Sequence, residues 1–187
     1  QTANMIPNLL FELVAGGVLQ AVLVPSFVAA RRDGGNEALS DATQATAGVI
    51  VAGLALVAAV GMAISPLVAR VLVLSEPSLA VAREKLDVMV PMVLVFVPQL
   101  VSYGIATVTS AALDAKGRYV AAAVAPAVNN VIVIVACLVF RAMRGDEVAD
   151  LDLTVGQFAV IAGGTTIGVL AFSLTPALAL NAAGVRW

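Results

Sequence analysis

The chain has 187 residues, of which 61% are hydrophobic and 12% charged, with a formal net charge of −2. Soluble domains average about 25% charged residues, so this composition excludes an ordinary soluble domain and indicates an integral membrane protein. The slight negative charge provides no basic surface for nucleic acid, and no nucleic-acid partner is expected. The absence of histidine and the single cysteine, Cys137, exclude a His- or Cys-based metal site and a histidine-based catalytic triad within the chain. We therefore predict a protein that is not an enzyme and has no cofactor or metal.

Several stretches of the chain are apolar and long enough to cross a bilayer as helices. The hydrocarbon core of about 30 Å needs roughly 20 helical residues. Charged residues, glycines and prolines separate these stretches. The predicted spans are residues 3–31, 42–70, 87–113, 118–142 and 153–183. The sequence therefore predicts an all-α, polytopic transmembrane helix bundle with five membrane spans.

The first span, residues 3–31, has polar side chains that a simple membrane anchor would lack. Each helical residue turns by about 100°, so Asn4, Asn8 and Glu12 lie on one face, within roughly 80° of arc. A carboxylate facing lipid costs roughly 2.5–3.5 kcal/mol on insertion scales, so Glu12 must face water, a partner or an interface. This face predicts either one wall of a polar cavity or hydrogen bonds to other helices.

Prolines and a glycine pair predict bends in the first and third spans. Proline removes a backbone hydrogen bond, and glycine loosens the helix around it. Irregular backbone at membrane depth is tolerated only inside protein or along a water-filled cavity. The hinge candidates are Pro7, Gly16, Gly17, Pro25 and Pro98, although a static kink satisfies the same pattern.

A second polar face is predicted on the third span. Its members, Gln99, Ser102, Tyr103 and Ser110, lie within roughly 100° of arc on a helix. Amide and hydroxyl groups at membrane depth either line a cavity or bond to a neighbouring helix. Gln99 is therefore a second candidate for cavity lining, with a helix contact as the alternative.

The last two spans contain residues that favour contacts between helices. Gly164 and Gly168 have the four-residue spacing of small residues that lets two helix backbones approach closely. Asn129, in the fourth span, is a further candidate for cavity lining, and a hydrogen bond between helices is the alternative for it as well.

Loop charges do not orient the chain, because lysine and arginine counts on the two predicted sides are equal. One side has Arg31, Arg32, Lys116, Arg118 and Arg186, and the other has Arg70, Arg83, Lys85, Arg141 and Arg144. An orientation needs information beyond the charge count.

Two segments resemble the MurJ/MviN family of lipid II flippases. Residues 6–29, IPNLLFELVAGGVLQAVLVPSFVA, are similar to that family's second transmembrane helix, which begins Pro-Asn-Leu-Leu and continues to a Gln and a Val-Pro. Residues 112–134, ALDAKGRYVAAAVAPAVNNVIVI, are similar to its junction between the fourth and fifth helices. The resemblance covers essentially the whole chain, as helices two to six of the fourteen in that family. It implies that residues 1–187 are part of an N-terminal transporter lobe.

The resemblance implies movement of lipid II, an undecaprenyl-pyrophosphate-linked peptidoglycan precursor, across the bacterial plasma membrane by alternating access. The implied partners are membrane lipid, this lipid-linked substrate and the helices of the same protein that lie outside the chain. The chain alone is expected to be inactive. The family topology would place the Arg31–Arg32 loop, the turn at residues 116–118 and the C-terminus in the cytoplasm.

The chain departs from that family after Pro-Asn-Leu-Leu, where many relatives have an arginine pair that suits pyrophosphate. This chain has Phe11 and Glu12 there. Glu12 is expected either to balance an arginine outside the chain or to bind a coupling ion. Two other functions also fit the pattern: a transporter of the same superfamily with another cargo, such as a drug/cation antiporter or another lipid-linked oligosaccharide exporter, and a non-transporting membrane scaffold for cell-wall assembly.

Overall fold

The computed structural model describes residues 18–72, 86, 90–145 and 153–187. Its helices are α1 (Val18–Leu72), α2 (Gln99–Ala115), α3 (Tyr119–Arg144) and α4 (Val155–Ala182). A helical segment at residues 90–96 leads into α2 through a turn at Val97 and Pro98. No strand occurs in these ranges, which confirms the all-α prediction for the described part of the chain.

The number of membrane spans differs from the five predicted. The described residues contain four helical segments that are long and apolar enough to cross a membrane: Leu19–Leu67, Val90–Ala115, Tyr119–Arg144 and Val155–Ala182. The count differs because residues from the first two predicted spans belong to one helical segment, α1. Leu19–Leu67 contains 49 residues, which at 1.5 Å each extend over about 74 Å, more than twice the hydrocarbon thickness.

A backbone break divides α1 into two arms. Gly34 (φ −143°, ψ 18°) and Gly35 (φ 67°, ψ −148°) both leave helical geometry. The Gly35 conformation is essentially restricted to glycine, because a Cβ atom is strained there. Residues 18–33 are called the first arm and residues 36–72 the second arm. Phe27 of the first arm and Leu39 of the second belong to one buried cluster, so both arms contribute to the same core.

Helix α2 lies at the centre of the bundle. It packs against α1, α3 and α4, and α3 packs against α4. The largest core cluster includes Leu113 near the end of α2 and Leu180 near the end of α4, both fully buried. A smaller cluster of Ala58, Val97 and Leu100 lies between the second arm and the beginning of α2. The core is therefore concentrated at the end of the bundle where α2 and α4 finish.

Candidate functional site: polar contacts between the helices

Six of the ten predicted site residues lie outside the described residues, and their roles stay predictions. They are Asn4, Pro7, Asn8, Glu12, Gly16 and Gly17. The other four, Pro25, Pro98, Gln99 and Asn129, are described. Gln99 lies on α2 and Asn129 on α3, and both contact the last helix, α4.

Gln99 connects α2 to α4 at membrane depth. Its Nε2 donates a hydrogen bond of 2.8 Å to Thr166 Oγ1, and the Thr166 hydroxyl donates one of 2.7 Å to the carbonyl of Ala162. The Gln99 side chain is buried. At 1.5 Å per residue, Thr166 lies about 16 Å from the beginning of α4 and about 24 Å from its end. Gln99 therefore makes the interhelical bond that was the alternative to cavity lining, and its contact with cargo stays a prediction.

One turn further along α2, the same face meets α4 through aromatic rings. The ring centres of Tyr103 and Phe172 are 5.8 Å apart, with the ring planes inclined by 60°. This tilted arrangement is a favourable one for two aromatic rings. The face predicted from Gln99 and Tyr103 therefore packs along α4 over at least one helical turn.

Asn129 of α3 lies against Gly168 of α4. Its Oδ1 is buried and accepts no hydrogen bond from the described residues. A Cβ built on Gly168 would lie 2.5 Å from that oxygen, so any larger residue here would require the Asn129 amide to shift. Gly164 faces Ala136 of α3 in the same way, which confirms that the glycine pair brings two helices together. The unpaired oxygen is an acceptor that a polar ligand or water could use.

Two hinge candidates lie at different kinds of position. Pro25 is inside the first arm, where the neighbouring Ser26 hydroxyl donates a 3.1 Å hydrogen bond to the carbonyl of Val22. Pro98 precedes α2, and the backbone there closes a tight turn through a 3.1 Å bond from Leu100 N–H to the carbonyl of Val97. Both prolines interrupt regular helical bonding. Movement about either one stays a prediction.

The structure also gathers three separate segments at one end of the bundle, here called the basic end. These segments are the break in α1, the turn after α2 and the residues after α4. The Lys116 ammonium donates hydrogen bonds to Asn36 Oδ1 at 2.8 Å and to the carbonyl of Ala183 at 2.6 Å. The Arg31 guanidinium donates one of 2.9 Å to the carbonyl of Ala115. Each cation thus binds a carbonyl at a helix C-terminus, where the helix dipole favours positive charge.

A Schellman motif fixes the turn that holds Lys116. The Arg118 N–H donates to the carbonyl of Leu113 at 3.0 Å, and the Gly117 N–H donates to the carbonyl of Asp114 at 2.9 Å. Gly117 has φ 72°, which L-residues rarely adopt. The turn therefore fixes the backbone positions from which the Lys116 and Arg118 side chains extend.

Partial burial, and then the positive charges of Arg31 and Arg118, lower the pKa of the Lys116 ammonium from its ordinary value. Sequence reasoning assigned this lysine only to a short connection and missed its contacts. The available signal was a lysine directly before a glycine at a helix C-terminus, a position suited to capping carbonyl groups.

No cluster of three or more His, Cys, Asp or Glu side chains that could hold a metal occurs among residues 18–72, 86, 90–145 and 153–187. The polar groups described above instead connect helices within an apolar bundle. Long apolar helices joined at membrane depth by an amide–hydroxyl bond define a polytopic helical membrane protein.

Comparison with known proteins narrows this class. The family profile described as lipid II flippase MurJ matches residues 1–187, and the chain belongs to this family. It is 31% identical over 128 residues, 68% of its length, to a probable lipid II flippase MurJ of Rhizobium tropici. The matched part covers 24% of that relative. No solved structure matches the chain. The family and the four candidate spans place the chain in the bacterial plasma membrane.

Proposed function

We propose that this chain is part of the N-terminal lobe of a flippase that moves lipid II from the inner to the outer leaflet. The family match over residues 1–187 carries this proposal, and the name of the Rhizobium tropici relative agrees with it. The matched part covers about a quarter of that relative. In this proposal residues 1–187 are inactive without further helices of the same protein.

The physical requirement is a polar path for the headgroup. A sugar–peptide headgroup cannot enter hydrocarbon cheaply, because its polar groups would lose their hydrogen bonds to water. In this proposal Asn4, Asn8 and Glu12 line one wall of a hydrated cavity, while the prenyl tail stays in lipid. Glu12 balances an arginine outside the chain or binds a coupling ion.

We also propose that the two arms of α1 cross the membrane separately, which restores five crossings. The support is the position of charge: Arg31 and Lys116 both lie beside the break in α1. A single straight crossing centred on Leu19–Leu67 would place this break about 13 Å from the bilayer centre, still inside a hydrocarbon core of about 30 Å, where a cation is costly. Two crossings place it in water, and the family topology puts that face in the cytoplasm.

Alternating access requires lobes that move as bodies. The basic end supports this mechanism, because its hydrogen bonds join α1, α2 and the residues after α4. Elements linked in this way move together more readily than against one another. In our proposal they rock as a unit against the second lobe, exposing the cavity to each side in turn.

The test is depletion of the full-length protein in its host, with rescue by variants and measurement of lipid II in each leaflet. We expect lipid II to accumulate in the inner leaflet on depletion. Asn8→Ala and Glu12→Ala are expected to fail in rescue at normal expression. Gln44→Ala, at an exposed position on the second arm, is the control and is expected to rescue fully.

The other outcomes separate the alternatives. A normal lipid II distribution after depletion would contradict the proposal and favour a transporter of another cargo. If lipid II accumulates on depletion and both variants rescue fully, lipid II would remain the proposed cargo. The proposed role of Asn8 and Glu12 in lining the cavity would then be contradicted. Normal lipid II distribution with disordered cell-wall synthesis would instead favour a non-transporting scaffold.

A further inference from the structure

A groove of about 560 Å³ opens beside the basic end, between the turn after α2, the beginning of α3 and the outer face of α4. Its walls are mainly apolar. The lining side chains away from the rim include Leu113, Val120, Val124, Thr175 and Ala179. Val120 is 76% exposed and Val124 45% exposed, so the groove is accessible from outside the described bundle.

The rim of the groove has one cationic side chain, Arg118, and one tyrosine, Tyr119. Arg118 and Tyr119 both line it and both are exposed. Within the described part of the chain, the Arg118 side chain makes no hydrogen bond or ion pair, and no acidic residue lines the groove. The Schellman turn fixes the backbone of Arg118 at the rim, so its side chain extends from a defined point beside the groove.

The groove lies where hydrocarbon is expected to meet the lipid headgroups. The candidate span Val90–Ala115 ends directly before the turn, and the span Tyr119–Arg144 begins directly after it. Tyrosine is enriched at this depth of a bilayer, and basic pockets between helices there suit anionic headgroups. The apolar walls extend from the rim toward the membrane interior along α3 and α4.

We propose that this groove binds a glycerophospholipid with an anionic headgroup. Arg118 holds the phosphate, Tyr119 packs at the level of the glycerol, and an acyl chain follows the apolar wall past Val124. A soluble phosphate would leave this wall unused, and a zwitterionic lipid would gain less from Arg118. The groove is not assigned to the flippase cargo, because a pyrophosphate presents two charged phosphates and only one cation of the described residues lines the groove.

The test uses the full-length protein in nanodiscs with equal amounts of phosphatidylglycerol and phosphatidylcholine. A benzophenone amino acid replaces Val120 in the groove or, as the control position, Val49, which is 75% exposed on the second arm. Photo-crosslinked lipids are identified by mass spectrometry. We expect labelling by phosphatidylglycerol to exceed that by phosphatidylcholine at residue 120 and to equal it at residue 49.

Variants identify the groups responsible. Arg118→Gln should lower the phosphatidylglycerol preference at residue 120 about fivefold, the equivalent of ~1 kcal/mol for one basic side chain near an anionic surface. Arg141→Gln, at the far end of the same helix, is the matched control and should leave it unchanged. Val124→Trp, which fills the groove, should reduce labelling by both lipids.

Three results would overturn the proposal. One is equal labelling by the two lipids at residue 120, and another is a preference that survives Arg118→Gln. The third is replacement of the phosphatidylglycerol label at residue 120 by an undecaprenyl pyrophosphate label when that lipid is added in smaller amount, which would make the groove a cargo site. Because phospholipid labelling requires no transport, failure here leaves the flippase proposal unaffected, and the reverse also holds.

Discussion

Lys116 donates a 2.8 Å hydrogen bond to the side-chain oxygen of Asn36, joining the turn after α2 to the first residue of the second arm of α1. The same ammonium binds the carbonyl of Ala183 after α4. One cation therefore links three elements that are distant in sequence. The Lys116 side chain therefore stabilises the packing of these three elements instead of only being solvated.

Replacing Lys116 with methionine should destabilise the protein. The substitution keeps most of the apolar stem but removes two charge-assisted hydrogen bonds, each of a type that contributes roughly 1.5–3 kcal/mol. Because the site is partly exposed to water, we expect a total loss of about 1–2 kcal/mol. The measurement is the midpoint of thermal unfolding in detergent. Arg32→Met is the control, because the Arg32 side chain is exposed and makes no hydrogen bond or ion pair within the described residues. An equal change in both variants would contradict the linking role of Lys116.

The break in α1 should depend on Gly35. Its φ of 67° disfavours any L-residue, and we expect Gly35→Ala to lower the free energy of unfolding by about 1–2 kcal/mol. Gly48→Ala is a matched control, because no atom lies within 4 Å of a Cβ added at either position. At Gly48, inside the helix, alanine should be neutral or stabilising by up to ~1 kcal/mol. Equal effects of the two changes would show that the break is not held at Gly35.

Gly168→Ala should destabilise the protein, because the added methyl group would enter the contact between α3 and α4. A Cβ there would lie 2.5 Å from Asn129 Oδ1, and such overpacking typically costs about 1–3 kcal/mol. Gly163→Ala is the adjacent control, since nothing lies within 4 Å of its added Cβ. Unfolding midpoints of the two variants provide the comparison. Adding Asn129→Ala to Gly168→Ala should recover part of the loss, whereas no recovery would mean that the clash lies elsewhere.

The sequence could predict the helices and several of the contacts. Apolar runs bounded by charge and glycine indicated the helical class, and the spacing of Gly164 and Gly168 indicated a close helix pair. Both follow from local geometry, because a helix fixes which residues share a face. The glycines at residues 34 and 35 likewise marked the place where the chain leaves helical geometry.

Partners of polar side chains could not be predicted in the same way. Residue spacing placed Gln99 on a polar face but did not identify Thr166, because the opposing helix is set by packing of the whole bundle. Lys116 is a clearer example, since its acceptors are 80 and 67 residues away in the chain. The span count also differed, because the glycine break between the first two predicted spans lies inside one helical segment.

The hydrogen bond between Gln99 and Thr166 separates the structural role of Gln99 from its predicted role at a cavity. A double-mutant cycle with Gln99→Leu and Thr166→Val should give a coupling of about 0.6 kcal/mol, the usual size for such bonds in membranes. If Gln99 also lines the cargo path, Gln99→Leu should reduce lipid II movement several-fold more than Thr166→Val, which breaks the same bond. The measurement is lipid II accessibility in the host at matched expression, with Gln44→Leu as the exposed control. Equal transport losses in the two variants would contradict a cavity role for Gln99, because loss of the hydrogen bond that both variants remove would explain both results.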